Sequence, residues 1–109
     1  FGVVKELVGS WIDANWDHNT LLHSHDPLLT LFNAEVIECK FGGGDIVFND
    51  PGKEIFGRAP YVLSFGRNPT AENIAKELFL VGRRVLTHPL QVVHVRIYET
   101  PNCWADYHE

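Results

Sequence analysis

Residues 91–99 (QVVHVRIYE) alternate with a period of two, which commits them to a half-buried β-strand. Val93, Val95 and Ile97 share one side; Val92, His94, Arg96 and Tyr98 form a mixed, half-wet other side. The same period puts Glu99 on the apolar side, so the strand's expected buried stripe ends on a carboxylate at the rim of a core. Taking an ion out of water costs roughly several kcal/mol after relaxation, so such a group calls for convergent N–H donors. Either a cation of the chain (Arg83, Arg84 or Arg96) or a bound ligand can supply them. A turn at Thr100-Pro101-Asn102 followed by residues 103–108 makes this strand one arm of an antiparallel hairpin.

Two helices precede the hairpin. Val3, Val4, Leu7, Val8, Trp11 and Ile12 form a two-wide apolar stripe at helical period, with Lys5, Glu6, Ser10 and Asp13 opposite, predicting a helix over residues 3–16. The second helix follows the stop Gly66-Arg67-Asn68-Pro69. Thr70 is placed to cap it, Glu72 lies in the first turn and Arg83 and Arg84 in the last, each with the sign the helix dipole favours. Ile74, Ala75, Leu78, Val81 and Val85 are its expected buried face, and Thr87-His88-Pro89 ends it. Between the helices, Asp26-Pro27 starts a short helix over 28–33. Short apolar pieces at 36–37 and 46–48 and a strand at 61–65 lie among Gly42-Gly43-Gly44, Asn49-Asp50-Pro51-Gly52 and Gly57. Helix, short helix, irregular strands, helix, strand, strand is an α+β order, without alternating βαβ units.

With 109 residues the chain makes one domain, spanning 1–109, that buries roughly two-thirds of its unfolded surface. The net charge is −5 and the densest basic cluster is the pair Arg83-Arg84, so there is no electrostatic footprint for nucleic acid. No apolar run approaches the roughly 18 residues that span a bilayer, and no signal sequence opens the chain. Cys39 and Cys103 are too few for a disulfide framework and read as reduced thiols of a cytoplasmic protein. Phe1 in place of Met, with a helical pattern directly behind it, suggests a chain cut from something longer.

Several groups could carry chemistry. Asp17-His18 follows the first helix, and a carboxylate beside an imidazole is the minimal unit for proton transfer near neutral pH; a capping Asp with a loop His is the structural alternative. His23-Ser24-His25-Asp26 has the spacing of half a zinc site but lacks further ligands, and reads as a polar loop before a helix. Nothing near Cys103 in sequence lowers its pKa, so it reads as a structural cysteine. Trp11, Trp16 and Trp104 read as core or interface.

Together, Phe1-Gly2 with Lys5-Glu6-Leu7, Asp17-His18 followed by Leu21-Leu22, Asn68-Pro69-Thr70-Ala71-Glu72-Asn73-Ile74-Ala75, and Glu99-Thr100 before Trp104-Ala105-Asp106-Tyr107 resemble the 6-pyruvoyltetrahydropterin synthase family. The resemblance covers essentially the whole chain, most loosely at 42–57. It implies the tunnelling fold, an antiparallel sheet with two main helices packed on one face, assembled as a homo-oligomer of trimers or hexamers with sites at subunit boundaries. It also implies zinc, held in the family by three histidines on two N-terminal strands, with a catalytic cysteine between them. Those strands are absent here, so no metal ligand is assigned in this chain.

By the same resemblance Asp17 and His18 form a proton relay, Glu99 anchors a pterin, and Thr70 lies near the pterin pocket. A pterin offers a ring N–H and an exocyclic amino group side by side, which one carboxylate can accept together. The implied reaction turns 7,8-dihydroneopterin triphosphate into 6-carboxytetrahydropterin, acetaldehyde and triphosphate, on the route to queuosine and other 7-deazaguanines. The alternatives are the sister reaction, triphosphate elimination to 6-pyruvoyltetrahydropterin, and a non-catalytic pterin-binding or assembly module.

Overall fold

A run of good helix formers behind a threonine cap, followed by two alternating strands, folds as those patterns dictate. The computed structural model describes the backbone of residues 2–32, 34–40, 43–48 and 60–109, and the side chains of 2–29, 60–64 and 66–109. Residues 1, 33, 41–42 and 49–59, with the expected turns at Gly42, Asn49-Asp50-Pro51-Gly52 and Gly57, lie outside the described residues. The chain divides into two compact units, Phe1–Asp17 with Pro69–Glu109, and His18–Asn68.

The first unit holds helix α1 (Gly2–Asn15), helix α2 (Ala71–Val85) and a hairpin of β5 (His94–Thr100) and β6 (Cys103–His108). Thr70 caps α2 as its sequence position requires, its Oγ1 accepting the Asn73 N–H at 3.2 Å. Helix α2 packs on one face of the hairpin, where Phe79 meets Tyr107 edge-on with ring centroids 5.0 Å apart. Ala71, Ala75, Phe79, Val81 and Gly82 are buried on α2, and so is Glu77. The buried face is therefore rotated from the expected one: Ala75 and Val81 are on it, whereas Ile74, Leu78 and Val85 are only half-buried. Phe79 carries the aromatic contact that the aliphatic pattern concealed. At the far end, Glu109 accepts from Arg83 at 2.6 Å and from Tyr107 at 2.6 Å, tying the end of α2 to the end of β6.

Helix α1 has its expected bounds within one residue, but none of its residues is buried. Val3, Val4 and Leu7 stand 52%, 39% and 38% exposed, so the apolar stripe is wetter than its pattern implied. Trp11 and Trp16 meet edge-on at 5.1 Å near its C-terminus, both half-buried.

The second unit holds the two-residue strands β1 (Leu21–Leu22) and β4 (Tyr61–Val62) and the hairpin β2 (Ala34–Lys40)–β3 (Gly43–Phe48). Strands β1 and β4 pair in parallel, bracketed by Tyr61 N–H to Thr20 O at 2.8 Å and Leu63 N–H to Leu22 O at 3.0 Å. Leu22, Leu29, Tyr61, Val62, Leu63 and Ser64 are buried around this pairing. The expected short helix is a 3₁₀ segment, Pro27–Phe32, capped by Asp26 Oδ1 accepting the Leu28 N–H at 2.8 Å. The strand expected over 61–65 stops at Val62 because a 3₁₀ turn, Ser64–Gly66, follows.

The architecture is α+β, as the order of elements indicated. The resemblance implied an antiparallel sheet; among the described residues the strands form three two-stranded sheets, β2–β3 and β5–β6 antiparallel and β1–β4 parallel. No helix among the described residues is long and apolar enough to cross a membrane.

Gly66 has φ +63°, and a Cβ there would lie 3.2 Å from Ser24 Oγ. Left-handed backbone and close approach both call for glycine. Gly66→Ala is expected to lose about 1–2 kcal/mol of stability by urea denaturation, with part recovered in a Ser24→Ala background; an unchanged midpoint would show that the turn tolerates a side chain.

Candidate functional site at the hairpin end

The β5–β6 ladder runs in register from His94 opposite His108 to Tyr98 opposite Trp104, then resumes with Thr100 opposite Cys103. One residue of β5, Glu99, has no partner. It is the extra residue of a β-bulge, a device that breaks the ladder and re-aims one side chain. Strict alternation hides such a residue, so the expectation of Glu99 at a dry rim fails. Glu99 is exposed, Val95 and Ile97 behind it are half-buried, and Val93 is 69% exposed ahead of the strand. An exposed carboxylate carries little desolvation cost, so burial alone does not demand a ligand at Glu99.

Of the three arginines considered for Glu99, Arg83 pairs with Glu109 and Arg96 with Asp106 at 2.7 Å through Nε, and Arg84 sits beside Arg83 in the last turn of α2. Glu99 instead accepts from the Cys103 thiol, with Sγ 3.3 Å from Oε2. That hydrogen bond and the Glu99 charge, joined by the negative charge of Glu72, hold the Cys103 thiol above its usual range. Glu72 is in the first turn of α2, two residues after Thr70, so the Thr70 cap and the Glu99 carboxylate come to the same end of this unit. Thr70 Oγ1 accepts from the helix, which leaves its hydroxyl proton to donate. Thr100 Oγ1 accepts the Asn102 N–H at 3.3 Å and stiffens the turn beside the bulge.

The face of the hairpin away from α2 carries a second polar group. Asp106 accepts from Arg96 through both carboxylate oxygens and lies 3.0 Å from His94 Nε2. Arg96 also lies over the Trp104 ring at 4.7 Å. Arg96 first, then His94, hold the Asp106 carboxyl below its usual range. A depressed carboxylate pKa stabilises the fold above the unfolded value and loses that contribution as pH falls through the folded one.

Asp17 ends the first unit and His18 begins the second, both exposed. His18 has φ +52°, a left-handed conformation that is strained for any residue with a Cβ. Helix α1 ends just before it by widening, the Trp16 and Asp17 N–H groups both reaching back to Ile12 O at 2.7 and 3.0 Å. Of the expected site residues, Asp17, Thr70 and Glu99 belong to the first unit and His18 to the second. Cys103 and the bulge were missed; the signal for them is a two-residue turn that sets Thr100 opposite Cys103 and so brings Glu99 beside the thiol.

Among the described residues no three His, Cys, Asp or Glu side chains cluster to hold a metal. His23 and His25 have ring centroids 5.6 Å apart, but His23 Nδ1 accepts the His25 N–H at 2.9 Å, the hydrogen bond of a local turn. The described residues do not fit a zinc centre.

A family model described as 6-pyruvoyl tetrahydropterin synthase matches residues 1–109. Proteins named 6-carboxy-5,6,7,8-tetrahydropterin synthase from Rickettsia conorii and Rickettsia typhi are each 32% identical to the chain over 108 residues. A protein of that name from Rickettsia bellii is 28% identical. In each case the match takes in 97% of this chain and 63% of the relative, so the chain spans under two thirds of their length. No solved structure matches the chain significantly.

Two outcomes are expected. His18→Gly, which relieves the left-handed strain, is expected to be about 1 kcal/mol more stable than His18→Ala in paired urea titrations; equal stability would show that the conformation is not enforced. The stability gap between wild type and Asp106→Asn is expected to close as pH falls below about 4, the ordinary range of an aspartate, and to narrow in high salt; a gap constant from pH 7 to 3 would contradict the role given to the Asp106 charge.

Proposed function

The chain belongs to the 6-pyruvoyl tetrahydropterin synthase family, and on that premise we propose that it is the pterin-anchoring part of a 6-carboxytetrahydropterin synthase. The reaction converts 7,8-dihydroneopterin triphosphate to 6-carboxytetrahydropterin, acetaldehyde and triphosphate. The observation that carries this is the bulge: it takes one carboxylate out of the ladder and, among the described residues, gives it a weak thiol donor.

Glu99 in this proposal accepts the ring N–H and exocyclic amino hydrogens of the pterin, a paired, charge-assisted contact that distinguishes pterin from isomeric rings. Because Glu99 is exposed in the single chain, the drying of that contact falls to the bulk of the ligand and to a second copy of the chain in a homo-oligomer. Thr70 donates its hydroxyl proton near the same pocket. His18 takes and returns the proton moved at the substrate side chain, and the adjacent Asp17 stabilises the imidazolium that forms. The left-handed backbone at His18 suits this role, since strain is retained where it sets a reacting group. Zinc, expected from the resemblance, finds no ligand set among the described residues. A cytoplasmic place in 7-deazaguanine synthesis completes the proposal.

Glu99→Gln is expected to weaken neopterin binding roughly 10–100-fold, the worth of hydrogen bonds to a charged acceptor. His18→Ala is expected to lower kcat by roughly 100-fold or more with binding little changed. Fluorescence titration and steady-state kinetics on the full-length enzyme read both, and mass spectrometry of the product separates loss of acetaldehyde from simple triphosphate elimination. Near-wild-type behaviour of both variants would reject the assignment.

A further inference from the structure

We propose that Cys103 is a positioning residue for Glu99: its thiol, one rung across the hairpin turn, holds the bulged carboxylate in the orientation that meets a pterin. This rests on the pterin-anchoring role of Glu99 and extends it to a residue that the sequence marked only as structural.

The geometry has three parts. First, a bulge residue lacks the cross-strand neighbour that would otherwise restrain its side chain, and Glu99 is exposed, so an unheld carboxylate there samples several rotamers. Second, the donor that restrains it is close in the chain and rigidly set. Cys103 opposes Thr100 in the ladder, with the turn between them tied by Asn102 N–H to Thr100 Oγ1, and Sγ lies 3.3 Å from Glu99 Oε2. Third, the strong donor on the same strand is committed: Arg96 gives its Nε and Nη hydrogens to Asp106.

A thiol suits the task because it is a weak donor. A guanidinium would neutralise the carboxylate and occupy both oxygens, so a ligand would have to displace it. The S–H takes one of roughly four lone-pair sites on an ionised carboxylate, which leaves the charge and at least one site on each oxygen for two incoming hydrogens. The charged groups facing the thiol are Glu99 from β5 and Glu72 from α2. Both disfavour the thiolate, so the hydrogen needed for the contact stays on sulfur through the neutral range, and the cysteine is correspondingly unreactive.

Two measurements on the full-length enzyme test this. Alkylation of Cys103 by iodoacetamide at pH 8, followed by peptide mass, is expected to be slow in wild type and several-fold faster in Glu99→Gln and Glu72→Gln. Unchanged rates in both overturn the proposal. Neopterin titration and kinetics are expected to show a several-fold weaker Kd and higher KM for Cys103→Ala, kcat within about two-fold, and recovery in Cys103→Ser, which keeps a donor. Cys103→Ala equal to wild type, or Cys103→Ser no better than Cys103→Ala, overturns it. Wild-type enzyme that fails to bind neopterin while Glu99→Gln still speeds alkylation overturns the pterin role of Glu99, and the positioning role with it, while leaving the hydrogen bond itself intact.

Discussion

One unmatched residue in a two-stranded ladder governs the site. Between the rungs Tyr98–Trp104 and Thr100–Cys103, β5 has one residue more than β6. The mismatch is stable because both sides of it are fixed: a turn held by Thr100 below, and above it a ladder packed through Tyr107 against Phe79 of α2. Remove that packing and the hairpin, with only two strands, would be marginal in water. The capped helix thus contributes to the site indirectly, by making a rigid platform of a hairpin that could not persist alone.

The two faces of the hairpin divide the work. Ala105 is buried and Val95, Ile97 and Tyr107 half-buried on the α2 side, as alternation requires. On the open side, Arg96 lies over Trp104 while its guanidinium engages Asp106, so aromatic surface and opposite charges satisfy one another without a core. Arg96, the arginine of β5 itself, is held by Asp106, while Arg83 and Arg84 belong to the last turn of α2, the opposite end of that helix from Glu72. The commitment of Arg96 keeps the bulged anion available, and it is as much a part of the site as the residues that would touch a ligand.

How legible this was depends on the kind of signal. Helix α2 could be read to its cap because Thr70, Glu72 and the arginine pair are local features with local physics. The hairpin could be read because alternation and a Pro-Asn turn are local too. What escaped notice needed three-dimensional information. Leu21-Leu22 and Tyr61-Val62 are too short to show any period, so their parallel pairing has no sequence signature. The stripe on α1 marks a face but not what covers it, and Val3, Val4 and Leu7 prove exposed. Alternation assigned Glu99 to a dry side because period-two counting has no means of registering an inserted residue. The Asp17-His18 dipeptide was visible at once, whereas the backbone strain at His18 was not.

The parallel pairing in the second unit has a consequence for how this chain tolerates change. Leu21 and its partner Tyr61 are 40 positions apart, so their contact closes a long loop. Loop-closure entropy rises only logarithmically, and doubling such a loop costs roughly 0.6 kcal/mol. Length variation between the two strands is therefore thermodynamically mild. The same insertion in the two-residue turn at Pro101-Asn102 would shift the bulge and carry the carboxylate away from its thiol. The closure of β1 on β4 is thus insensitive to the exact length between them, while the hairpin end must keep its residue count to hold the carboxylate beside the thiol.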